Sequence, residues 1–274
     1  MRPRHVFIGL AICALVLFGL HYGTFWPQTP PKSCIYRPLK GRFCDEFPHD
    51  DELTVLGAKW ATLSSLMFVF GGVAATQLLY ARIEFTNSYE AELLATNIFF
   101  VWLGIASFMY HSTHCKWWWR ADINTVRAFP FVLTLTVLFL GIPPHQHIAV
   151  HIFKFAAISS TPFIFMGAYW HNTESSATIL VVGATALCVA LVCLKIKLKD
   201  HLSNFIFYAL VLCLASGGGF IVSQSAPTFC FLQPVAIGHT ILGFVPPLLA
   251  LVPANPNDSN SGQQKNELLL VNLM

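Results

Sequence analysis

The sequence predicts an all-α integral membrane protein: a bundle of seven transmembrane helices with an additional N-terminal hydrophobic helix. Hydrophobic residues make up 55% of the 274 residues and charged residues only 11%, whereas a soluble domain carries about 25% charged residues. Apolar runs of about 20 residues, each long enough to cross a bilayer, recur along the chain with short connections between them. The net charge of +3 is small and scattered, so we expect a lipid bilayer as partner and no nucleic acid.

Residues 1–27 are predicted to form a signal anchor or a signal peptide. Arg2 and Arg4 precede an uncharged run from about Val6 to Trp26, and a basic start followed by an apolar stretch is typical of both kinds of segment. No small-x-small cleavage site follows the run, which favours an uncleaved anchor. Either interpretation places residues 28–55 in a lumenal or extracellular loop.

Seven further apolar runs are assigned to a helical core over residues 56–252. The predicted spans cover residues 56–80, 92–113, 124–142, 148–170, 176–194, 203–223 and 231–251. A cytosolic N-terminus would place the basic 195–199 loop in the cytosol, as the positive-inside rule prefers, although other basic residues then lie outside. Lys154, inside a span, is expected to extend its ammonium group toward the membrane surface. The tail, residues 253–274, is rich in Asn, Ser and Gln and is predicted to be disordered.

Four cysteines fall at the lumenal or extracellular face in this topology: Cys34, Cys44, Cys115 and Cys230. An even number of cysteines at an oxidising surface favours disulfides. Cys44 with Cys230 is the preferred pair, because it would tie the front loop to the last helix. The alternative is that these cysteines are simply small apolar residues of a membrane protein.

The polar residues of greatest interest are a serine, two histidines and an aspartate. Ser107 and His111 are four residues apart near the end of a predicted helix, a spacing that places both side chains on one helix face. Asp122 follows His111 by eleven residues, near the start of the next span. His239 lies near the start of the last span, at the same predicted membrane face as His111. Ionisable residues inside membrane spans are costly and often functional.

These residue types are those of a hydrolytic metal site. His111 and His239 could bind zinc, which accepts imidazole nitrogen and, in hydrolytic sites, has three protein ligands and one water. Zinc lowers the pKa of that water to about 7 and makes it a nucleophile. Asp122 could act as general base, and Ser107 could donate to the carbonyl oxygen that gains charge. His114, one turn from His111, is a candidate accessory ligand.

Each of these residues also has a simpler structural interpretation. A lone histidine near a helix end more often makes an interfacial hydrogen bond than binds a metal. Ser107 could hydrogen-bond to the backbone of its own helix, and Asp122 could cap a helix that begins at Ile123. The Trp117–Trp119 run is typical of anchors at a membrane interface.

The motif Ser107-x-x-x-His111 followed by Asp122 resembles the alkaline ceramidases. These enzymes belong to a wider superfamily of seven-helix membrane hydrolases that includes the adiponectin receptors. Two segments before the motif are also similar to this family. They are the front-loop stretch Arg42–Phe47 and the stretch Lys59–Ser65, which resembles the start of the first core helix.

The last span resembles the family less completely. The family carries Gln-x-His-Ala-x-Trp-His on its last helix, and the matching stretch here is Gln233-Pro-Val-Ala-Ile-Gly-His239. The glutamine, the alanine and the second histidine match. Val235 stands where the family has its first histidine.

The resemblance implies an intramembrane zinc held by three histidines and a water that cleaves the amide bond of ceramide. Carried over to this chain, His111 and His239 are zinc ligands, and Ser107 and Asp122 are the catalytic partners. Val235 has no donor atom, so one ligand is missing. His114 or Asp122 is the candidate substitute.

The resemblance also bears on calcium, substrate and location. Ceramidases of this type bind calcium at the front loop, but Asp45 alone stands at a matching acidic position, so no calcium site is predicted. Zinc is the predicted cofactor, and ceramide or a related sphingolipid is the predicted substrate. A multi-pass membrane location in the endoplasmic reticulum or Golgi is implied.

Two functions are therefore predicted from the sequence. The first is a ceramidase-like membrane hydrolase with an incomplete zinc site. The alternative is a catalytically inactive member of the superfamily that binds lipid or has a structural role in the membrane.

Overall fold

The computed structural model describes residues 59–86, 90–113, 116–142, 148–169, 176–198, 202–223 and 234–252, together with residues 8, 9 and 12. Within residues 59–252 the described helices are α1 (Lys59–Thr86), α2 (Ala91–Thr113), α3 (Lys116–Leu140), α4 (Ile148–Tyr169), α5 (Ser176–Leu198), α6 (Asn204–Ser223), α7 (Pro234–Leu242) and α8 (Val245–Ala250). No β-strand occurs among these described residues.

Helices α1 to α6 are each long and apolar enough to cross a membrane. The protein is therefore an all-helical, multi-pass membrane protein over its described residues, as the sequence predicts. The N-terminal helix over residues 1–27 falls almost entirely outside the described residues. The loop over residues 28–55 and the tail over residues 253–274 also lie outside them, as does the Cys44–Cys230 pair.

The last predicted span, residues 231–251, is divided between α7 and α8. Pro246 and Pro247 have no N–H, so they cannot donate to the carbonyls of Leu242 and Gly243, four residues before them. The chain turns at Gly243 and starts a new helix, with the prolines in its first turn, where an N–H has no helical acceptor. The apolar helical stretch Val235–Ala250 is consequently shorter than the six long helices.

The turn between α7 and α8 packs directly on the backbone of α1. A Cβ atom at Gly71 would overlap the carbonyl oxygen of Gly243, and a Cβ at Gly243 would lie 2.7 Å from the carbonyl oxygen of Met67. A similar contact joins α6 to α7, where a Cβ at Gly238 would lie 2.9 Å from the carbonyl oxygen of Gly217. Small residues allow membrane helices to approach this closely, so these glycines set the position of α7.

The remaining packing builds a bundle around α1, α2 and α3. Helix α1 packs along α2 and contacts α7 and α8, while α2 also contacts α3 and α4, and α3 contacts α4 and α5. Helices α4, α5 and α6 keep large apolar side chains on their outer faces, among them Phe163, Val181 and Phe205. Such surfaces suit contact with lipid, where apolar side chains need no protein cover.

Lys154 does not extend to the membrane surface, which corrects the expectation from the sequence. Its ammonium group lies 3.0 Å from Oε1 of Glu92 and donates to the Phe139 carbonyl oxygen at 3.2 Å. Both charged side chains are buried. Burying an ammonium group is tolerable only with such partners. The pair joins α2 to α4, and the carbonyl contact joins both to the end of α3.

Helix α3 begins at Lys116, earlier than the predicted start at residue 124. Asp122 therefore lies in its second turn and does not cap a helix that begins at Ile123. The tryptophans form the first turn, where Trp118 packs against Trp102 of α2 with ring centroids 6.4 Å apart. This contact holds the start of α3 against the middle of α2.

Replacing Lys154 by Met should destabilise the protein by about 3–5 kcal/mol, because the buried Glu92 carboxylate loses its counter-charge. The double variant Lys154→Met with Glu92→Gln should recover much of this loss. Thermal unfolding of the full chain in detergent measures both effects. Lys195→Met is the matched control, because Lys195 bonds the exposed Asn204. An unfolding temperature of Lys154→Met equal to that of the wild type would contradict this account.

Replacing Gly71 by Ala should destabilise the fold by about 1–3 kcal/mol, because the added methyl group overpacks against the turn at Gly243. Gly218→Ala is the control: it lies in α6, and a Cβ there meets no atom within 4 Å. That variant should be as stable as the wild type or slightly more so. Equal unfolding temperatures for the two variants would show that the α1 contact is not tight.

Candidate functional site

His111 and His239 meet at the end of α2 and the middle of α7. Their ring centroids are 5.7 Å apart and the rings are inclined by 56°. Each residue is only 6% exposed. Helix α1 packs on both α2 and α7 and so brings the two histidines together, as expected from their positions in the predicted spans.

The first turns of α1 supply the polar contacts of His239. Nδ1 of His239 lies 3.2 Å from the Ser64 hydroxyl oxygen and 3.3 Å from the Ser65 hydroxyl oxygen. Both serines are buried. These serines belong to the stretch Lys59–Ser65, which resembles the family, and the sequence predicts no role for them. Two adjacent serine hydroxyls at the start of an apolar span were the sequence feature that indicated a polar contact at this place.

Ser107 belongs to the same cluster through Ser65. The two hydroxyl oxygens are 3.0 Å apart, and Ser107 is 1% exposed. The Ser107 hydroxyl thus takes part in a contact between α1 and α2, whereas the alternative from the sequence was a bond to its own helix. A continuous chain of contacts connects Ser107 to His239 through Ser65.

Aromatic rings enclose the two histidines. The Phe68 ring lies 5.1 Å from the His239 ring, and the Tyr110 ring lies 4.8 Å from the His111 ring, measured between centroids. Phe68 continues into the core through Phe100, at 6.1 Å. In such apolar surroundings hydrogen bonds among the polar groups are strengthened, and an unsatisfied polar group is costly.

Val235 lies one helical turn before His239, on the same face of α7. It is buried and packs against Ala61 of α1. This is the position at which the resemblance expects the first histidine of the last helix. At this position the structure has an apolar contact with α1 and no donor atom.

A hydrolytic zinc site needs three protein donors, and the buried imidazoles of His111 and His239 are two candidate donors that lie together. Within the ranges that the structure describes, no group of three or more His, Cys, Asp or Glu side chains is placed to hold one. His114 lies outside those ranges.

Asp122 is half-buried in the second turn of α3, and its Oδ1 atom is inaccessible to solvent. The start of α3 lies beside the end of α2, which carries His111. A role for this carboxylate as base or as substitute ligand stays a prediction.

Comparison with known proteins does not assign the chain. No protein-family model matches it, and no curated protein or solved structure matches it significantly. The resemblance to the alkaline ceramidases stays a prediction that rests on the motif residues.

Proposed function

We propose that this protein is a ceramidase-like membrane hydrolase that cleaves the amide bond of ceramide or a related sphingolipid in an endoplasmic reticulum or Golgi membrane. The observation that supports the proposal is the buried pair of His111 and His239. Ser107 approaches this pair through its contact with Ser65. Ser107 and His111 of α2 and His239 of α7, with aromatic rings against both histidines, form a site suited to polar chemistry on a lipid.

The roles of the residues follow from their donor and acceptor groups. His111 and His239 would hold zinc, which supplies an activated water when bound. Ser107 would donate its hydroxyl hydrogen to the amide oxygen as negative charge develops there. Asp122 would accept the proton of the attacking water. If Asp122 is instead the third ligand, it cannot also act as a free base.

A second proposal is that the chain binds lipid or has a structural role without turnover. Val235 favours it, because a buried valine packed on Ala61 offers no donor atom. In this case the histidine pair would bind a polar group of a lipid instead of a hydrolytic metal. The two proposals differ in metal content and in product release.

The hydrolase proposal predicts about one zinc per purified chain and release of fatty acid from ceramide. Ser107→Ala should keep the zinc and lower turnover by roughly 100- to 1,000-fold, because a donor to the developing oxyanion is lost. Ser112→Ala is the matched control on α2, since that hydroxyl contacts the Met109 carbonyl of its own helix. Absence of zinc together with absence of turnover would rule out the hydrolase.

Replacing Val235 by His should raise zinc affinity by at least tenfold, because it adds a third imidazole on the face that carries His239. Ile237→His is the control: it adds the same side chain to α7 on a different face and should leave affinity unchanged. Competition with a zinc chelator measures both. Equal affinities for the two variants would mean that the histidine pair is not arranged around a metal.

A further inference from the structure

The start of α1 forms a compact hydrogen-bonding group around one edge of the His239 ring. Besides their contacts with Nδ1, the Ser64 and Ser65 hydroxyls both donate to the carbonyl oxygen of Ala61, at 3.1 Å and 2.6 Å. Two hydroxyl oxygens of one helix therefore face a single ring nitrogen.

The number of hydrogens available decides which group donates. Each serine hydroxyl has one hydrogen. The Ser65 hydrogen is directed to the Ala61 carbonyl at 2.6 Å or to the Ser107 oxygen at 3.0 Å, and both acceptors are nearer than Nδ1 at 3.3 Å. The oxygen of Ser65 then faces Nδ1 with its lone pairs. The contact between Ser65 and Nδ1 is therefore a hydrogen bond when Nδ1 carries the hydrogen.

We propose that Ser64 and Ser65 are positioning residues that hold His239 in the tautomer protonated at Nδ1. A neutral imidazole has one ring hydrogen, so Nε2 keeps its lone pair and is the nitrogen that binds a metal ion or accepts a proton. This inference deepens the proposed hydrolase function, on which the metal part rests. Partners of this kind fix the tautomer and orientation of histidines that ligate metals and raise their basicity.

The packing around His239 leaves the ring little freedom to turn. Phe68 lies against it, and α7 is held on α1 by the contact of Gly243 with Gly71. A ring flip would place a carbon atom against the two serine oxygens and leave the buried nitrogen without these partners, which is costly in an apolar site.

Nitrogen-15 spectroscopy of the metal-free full chain tests the inference directly. The protein is labelled on histidine in detergent micelles, and the His239 signals are those lost in His239→Gln. The wild type should show a protonated Nδ1 and an unprotonated Nε2. The opposite tautomer in the wild type would overturn the proposal, and this measurement depends on no serine variant.

The double variant Ser64→Ala with Ser65→Ala should lose the preference for protonated Nδ1 and bind zinc roughly 10- to 100-fold more weakly. Thr161→Val is the control, because that buried hydroxyl donates to the Ala157 carbonyl of its own helix. An unchanged tautomer in the serine variant would overturn the positioning role. A wild type with protonated Nδ1 that binds no zinc would support the tautomer assignment while refuting the hydrolase.

Discussion

The site depends on the close packing of α1 against the break between α7 and α8. The carbonyl of Gly243 occupies space that any Cβ at Gly71 would need, so the two backbones touch. About two turns earlier on α1, Ser64 and Ser65 reach Nδ1 of His239. A wider separation of these helices would remove both serine contacts at once. The position of the histidine is therefore a consequence of backbone contact between helices.

A second constraint acts at the other end of α2. The buried Glu92–Lys154 pair lies 19 residues before His111, which corresponds to about 28 Å of helix. It joins α2 to α4 and, through the carbonyl of Phe139, to α3. One end of α2 is thus fixed by charge and the other presents a histidine. This separation lets the bundle bury an ion pair without placing it in the candidate site.

Val235 is the residue on which the choice between the two proposed functions depends. Val235 occupies the face of α7 that carries His239 and fills its space by packing on Ala61. Valine fills that space but has no donor atom, so a metal site that used this position would need another ligand. The proposed lipid binding requires only the enclosed polar site, whereas the proposed hydrolysis requires a complete set of metal donors.

The sequence by itself determined the six long apolar helices and the shared helix face of Ser107 and His111. Both follow from local rules: apolar runs of bilayer length and a spacing of four residues on a helix. Tertiary structure decided the rest. The partner of Lys154 lies 62 residues away and the serine partners of His239 lie 174 and 175 residues away, so no local pattern identifies them. The prediction from the sequence treated residues 231–251 as one span, although Pro246 and Pro247 are a local signal of a break. Only the packed bundle shows that the break places Gly243 on α1.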